Sequence, residues 1–111
     1  MTFPEHFTDK EKIQLLQRSI LVNSYAYYEL NENILADHQY DKNTRQLLAL
    51  KENNPEAYRK SRYAKYFDNF ESGTGFDLTD RIRGNRKLFN KVARDANIAL
   101  YLKKERKGED L

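Results

Sequence analysis

The chemistry-bearing residues of this 111-residue chain concentrate in one stretch: Tyr27 and Tyr28, then Asp37, Tyr40 and Asp41. Adjacent phenol rings offer aromatic faces over which a flat cation can stack. Two carboxylates one helical turn apart can take hydroxyl hydrogen bonds or face a positive charge. The same acids suit the first turn of a helix, where the macrodipole favours them, and tyrosines at helical spacing serve packing as readily as binding. Spacing alone leaves both readings open. As metal ligands or an acid/base pair the acids lack company, because His6 and His38 have no Cys or Glu partner at ligand spacing and the chain has no cysteine. Gly73-Thr74-Gly75 is too short for a phosphate-cradling loop.

Helices must position these residues. Thr8 followed by Glu11 is a capping-box signature, and Ile13, Leu16, Ile20 and Tyr27 continue it as an apolar stripe, so a helix is expected from Asp9 to about Leu30. Asn31, Glu32 and Asn33 prefer turns. Asp37 is expected to cap a second helix carrying Tyr40, Thr44, Leu47 and Leu48 and ending at Asn53-Asn54. A turn this short makes the two helices an antiparallel hairpin with the tyrosines at its closed end.

Beyond it, Asn54 and Pro55 read as cap and first residue of a third helix bearing Tyr58, Tyr63, Tyr66, Phe67 and Phe70. Glu71 to Gly75 is a loop, and Asp77 or Thr79 caps a short helix reaching Arg83. A last helix runs from about Asn85 to Lys107 through Leu88, Val92, Ala96 and Ala99, with Gly108 as its C-terminal cap. No strand-like alternation occurs. The expectation is one all-α domain: a helical hairpin over 8–56, then an aromatic helix, a Gly loop and a basic C-terminal helix over 57–111.

Composition narrows the class. The chain is 39% hydrophobic with 14 aromatics, too apolar for disorder, and without cysteine it has no disulfide framework. No signal-peptide or membrane-spanning run is present, which points to a cytoplasmic protein. Residues 1–80 hold ten basic and thirteen acidic side chains, whereas residues 81–107 hold ten basic and two acidic. Within that cationic part Arg83, Lys87, Lys91 and Arg94 recur every three or four residues and share a helix face. Such a stripe is either a solvated surface or a contact for nucleic-acid phosphates or an acidic protein. The aromatic segment is read two ways as well: Tyr63 and Tyr66 exposed for a protein partner, or packed beneath the last helix.

Tyr27-Tyr28, Leu35, Asp37 and Tyr40-Asp41, followed by Leu47, Leu48, Leu50 and Pro55, resemble the N-terminal Ia domain of NAD-dependent DNA ligases. That family places a tyrosine pair, an apolar residue, an Asp and a Tyr-Asp pair at this spacing. The similarity covers about residues 10 to 56. It implies that Tyr27, Tyr28, Asp37, Tyr40 and Asp41 face the nicotinamide mononucleotide half of NAD. Asn31 and Asn33 stand where the family usually has Asp and Pro, no lysine is followed by x-Asp-Gly to accept AMP, and the family's zinc finger would need cysteines.

The expected function is a non-catalytic binding module for NAD or nicotinamide mononucleotide, without a metal. One alternative is a phage or other mobile-element protein that inhibits or adapts a host protein, of the anti-defence or anti-CRISPR type, through Tyr63, Tyr66 and the basic residues. Another is phosphate-backbone binding by the basic helix. The architecture leaves room for a homodimer.

Overall fold

The computed structural model describes residues 1–71 and 77–109, and these form an all-α domain. Its helices are α1 (Asp9–Leu30), α2 (Asp37–Asn53), α3 (Pro55–Arg59), α4 (Leu78–Ile82) and α5 (Arg86–Glu109), with a 3-10 turn at Ala64–Tyr66. The loop expected at Glu71 to Gly75 lies, after Glu71, outside the described residues.

α1 is the central element and touches each of the other four helices. Its start is set by the capping box: Thr8 Oγ1 accepts from the Glu11 amide at 3.2 Å, and the Glu11 carboxylate accepts from the Thr8 amide at 3.0 Å. The Thr8 amide and hydroxyl, both donating to the Glu11 carboxylate, hold its pKa below the ordinary carboxylate range. Ile13, Leu16, Ile20 and Leu21 are fully buried along α1 against Leu47, Phe67, Leu78, Ile82 and Val92. Each such side chain contributes about 1.5–3 kcal/mol over exposure. α1 and α2 run antiparallel: Asn54 donates to Asp9 at the open end (3.1 Å), and Tyr40 meets Ser24 at the closed end (3.0 Å).

The hairpin turn is built on Asn31, whose φ of 53° is left-handed and suits Asn better than a branched residue. The amides of Asn31 and Glu32 both turn back to the Ala26 carbonyl. α2 begins one step differently from expectation. Ala36 occupies the cap position and accepts from the Gln39 and Tyr40 amides, so Asp37 is the first helical residue and makes no cap bond. Its carboxylate is thereby left exposed at the positive end of α2.

The third helix is much shorter than its aromatic run. Asn54 caps it, accepting from the Ala57 amide at 3.1 Å, but it stops at Arg59. Tyr58, Tyr63, Tyr66, Phe67 and Phe70 would fan over roughly half the circumference of one continuous helix at 100° per residue. Breaking the helix at Ser61, whose hydroxyl donates to the Tyr58 carbonyl at 2.6 Å, lets all five rings reach the core. The chain then advances by bonds of the i→i−3 kind: Ala64 to Ser61, Tyr66 to Tyr63, Phe70 to Phe67. Asp77 stands at the cap position of α4 without a capping bond; its carboxylate takes the Arg81 Nε at 3.0 Å instead. Asn85 caps α5, accepting from Leu88, and the helix continues through Gly108 rather than ending there.

A second, smaller cluster joins α5 to the hairpin's closed end. Ala26, Ala96 and Leu100 are buried there, with Leu30 and Ile34 packed against them. Among the described residues, no helix is long and apolar enough to cross a membrane.

Candidate functional site

α1 delivers Tyr27 and Tyr28 in its last turn, and α2 delivers Asp37 and Tyr40 in its first turn and Asp41 directly after it. The turn between them supplies Asn33, Ile34 and Leu35. Together with Asn23 and Ser24 these residues enclose a cavity of about 350 Å³. That lies at the small end of the range for ligand pockets, about 300–1,000 Å³. All five side chains singled out by spacing line it.

The cavity has an aromatic wall, a polar floor and an acidic lip. The Tyr27 and Tyr28 rings meet edge to face, 4.7 Å between centroids at 80°. They remain 50% and 39% exposed, whereas Tyr58, Tyr63, Tyr66, Phe67 and Phe70 are buried in the core. At the floor, the Tyr40 hydroxyl lies 3.0 Å from buried Ser24 Oγ. Burial pushes the Tyr40 phenol above its ordinary range, with its hydroxyl partner opposing, so it stays neutral through physiological pH. Asp37 and Asp41 are exposed on the lip, and neither makes an ion pair among the described residues. The arrangement suits a small planar cation bearing hydroxyls: rings to cover its face, carboxylates for charge or hydroxyls, a phenol for one further hydrogen bond.

The rim is held from a distance. Lys103, near the end of α5, donates to the Asn33 carbonyl, and Lys104 pairs with Glu32 at 3.3 Å. Ile34 links the cavity lining to the Ala96–Leu100 cluster. No local pattern announced this latch, which joins residues 70 and 72 positions apart. Ser24 was more legible: it lies one helical turn before Tyr27 and Tyr28, so the tyrosine face includes it.

The second group of expected contact residues fares differently. Tyr63 and Tyr66 are 7% and 8% exposed, and the Tyr66 hydroxyl accepts from Asn85 at 3.1 Å. They are core residues, buried by the helix break, and form no exposed partner surface. Arg83 precedes α5 instead of sharing a continuous helical stripe with Lys87, Lys91 and Arg94. Its guanidinium pairs with Glu29 and Asp80 and lies over the Phe89 ring, 5.2 Å from its centroid. That side chain joins helices rather than facing phosphate. Arg81 is similarly engaged by Asp68 and Asp77, at 2.8 and 3.0 Å. Lys87 and Arg94 are exposed, and Lys91 is half-buried. Among the described residues no cluster of His, Asp and Glu could hold a metal ion.

Residues 7–61 match the family described as "DNA ligase-like, N-terminal NAD+-binding domain". This segment is a ligase Ia domain. It comprises α1, the turn, α2 and α3, and so contains the whole cavity. A DNA ligase of Nitrosococcus oceani is 47% identical over 47 residues, which are 42% of this chain and 7% of that enzyme. No solved structure matches the chain. Residues 62–111, with α4 and α5, lie outside the Ia segment, yet α5 packs on α1 and latches the cavity rim.

Proposed function

We propose that this chain is a non-catalytic Ia-type module whose cavity binds the nicotinamide mononucleotide half of NAD. One observation carries the reading. The five residues at family spacing converge on a single cavity inside the segment that belongs to a family named for NAD+ binding. Tyr27 and Tyr28 cover the pyridinium face, Asp37 and Asp41 take the ribose hydroxyls or the positive ring, and the Tyr40 ring closes the floor. A volume of about 350 Å³ encloses one nucleotide half and leaves the adenylate half without walls. The mononucleotide and the intact dinucleotide are therefore expected to bind with similar affinity. No lysine followed by x-Asp-Gly occurs in these residues, which supports binding without adenylyl transfer.

Calorimetric titration with nicotinamide mononucleotide and with NAD tests the reading. Saturable heat is expected for both, and Tyr27→Ala or Asp37→Ala should lower affinity at least ten-fold while the far-ultraviolet dichroism stays that of the parent. Absence of heat at millimolar ligand would refute it.

A further inference from the structure

α5 buries one face against α1 and leaves the opposite one bare. Val92, Ala96 and Leu100 are 2%, 0% and 7% exposed, whereas Ile98, Tyr101 and Leu102 are 50%, 62% and 50% exposed. The exposed three follow at i, i+3 and i+4 and form one continuous apolar stripe. Contiguous large apolar side chains on a surface mark an interaction site rather than ordinary scatter. One turn to each side the stripe ends in an exposed charge: Arg94 before it, Glu105 after it. Neither makes an ion pair among the described residues.

The order of these residues decides what the stripe fits. Arg94, Ile98, Tyr101 and Glu105 are spaced four, three and four apart, the seam spacing of two packed helices. The series also reads as its own complement. When a second α5 is laid antiparallel about a two-fold axis between Ala99 and Leu100, Arg94 meets Glu105 of the other copy and Ile98 meets Tyr101. The two-fold repeats both pairings, as a self-complementary interface requires. A parallel arrangement would place Arg94 on Arg94 and Glu105 on Glu105.

We propose that this face of α5 is a self-association surface that joins two copies through an antiparallel helix pair. The charges set the register and the three apolar side chains supply the contact area. With only three such side chains per copy, the interface is smaller than the about 1,600 Å² of a standard stable complex. The dimer is therefore weak and concentration-dependent. The cavity lies elsewhere, so the proposal stands independently of any nucleotide.

Sedimentation equilibrium of the full chain, from about 1 μM to about 1 mM, reads the association directly. The expected result is a monomer–dimer equilibrium with dissociation in the micromolar range or weaker. Arg94→Glu and Glu105→Arg should each weaken it about ten-fold or more, since each replaces two attractions per dimer by two repulsions. The double variant Arg94→Glu/Glu105→Arg should restore dimerisation to near the parent value. A chain that stays monomeric throughout, or a dimer indifferent to the single reversals, would overturn the proposal; a double variant as weak as the singles would overturn the antiparallel register. All these positions are solvent-exposed, so loss of folding does not confuse the readout.

Discussion

Tyr40 and Ser24 touch across the closed end of the hairpin, hydroxyl to hydroxyl at 3.0 Å, the one on the first turn of α2 and the other one turn before the paired tyrosines of α1. The contact fixes how far apart the two helix ends stand, and with it the width of the cavity. Tyr40 is thus a structural pin as well as a lining residue, whereas Tyr27, half exposed, is free of that duty.

Stability measurements should separate the two roles. Tyr40→Phe removes a partly buried hydrogen bond and should cost about 0.5–1.5 kcal/mol. Tyr27→Ala, at a half-exposed position, should cost less than about 1 kcal/mol. Urea denaturation followed by helix dichroism reads both, and an equal, large loss from Tyr27→Ala would make that ring a packing residue.

The latch from α5 predicts an effect of remote substitutions on the cavity. Lys103→Ala and Lys104→Ala together break exposed polar contacts, so the stability cost should remain within about 1 kcal/mol. The turn at Asn33 should nevertheless open more often, and hydrogen exchange at residues 33–35 should quicken. Leu100→Ala empties part of the smaller cluster and should cost about 2–4 kcal/mol, with the same local loosening. Exchange rates at 33–35 that do not change in either variant would show that the rim stands without α5.

Tyr58 gives the fold an alkaline limit. Burial, aided by the nearby Asp68 carboxylate, pushes its phenol up to about 12 from 10.0, and its hydroxyl donates to the Phe67 carbonyl at 2.6 Å. In the unfolded chain the proton leaves near pH 10, while the folded chain still holds it. The contribution is therefore intact below pH 10 and lost as the pH climbs toward 12, on the order of 1–2 kcal/mol. Tyr58→Phe should be less stable than the parent at pH 8 by about 1–3 kcal/mol, because the Phe67 carbonyl loses its donor. The difference should shrink between pH 10 and 12; a constant gap across that window would contradict this account.

At the other end of α1, Thr8→Ala removes the hydroxyl that accepts from the Glu11 amide and donates to the Glu11 carboxylate, leaves the hydrogen bond from the Thr8 amide in place, and should cost about 1 kcal/mol. Glu11→Gln keeps an acceptor for the Thr8 amide and should lower the melting temperature less than Thr8→Ala does. Equal melting temperatures for Thr8→Ala and the parent would mean that solvent replaces the cap without cost.

What could be read from the sequence was what neighbouring residues decide. The limits of α1 follow from Thr8, Glu11 and an uninterrupted apolar stripe, and the convergence of Tyr27, Tyr28, Asp37, Tyr40 and Asp41 follows from a short turn between two amphipathic helices. The aromatic run was misjudged because periodicity describes one face, and five rings that all require burial cannot share one. Only the three-dimensional demand for their burial explains why the helix stops at Arg59. Asp37 was displaced from the cap by a single residue, a difference that spacing does not resolve. The Lys103 latch and the pairing of Arg83 with Glu29 bring together residues more than fifty positions apart, for which neither end carries a local signal.

The central position of α1 has a consequence for how the molecule comes apart. Its buried residues serve the Ia segment on one side and α4 and α5 on the other, with Ile13, Leu16, Ile20 and Leu21 in the same cluster as Leu47, Leu78 and Val92. There is no seam along which residues 7–61 could separate without laying bare a flank of α1. The slowest-exchanging amides of α1, α2 and α5 should accordingly share one opening free energy, the mark of a single cooperative unit. The 47 residues that match 7% of a much larger relative are here 42% of a chain whose helices share one core.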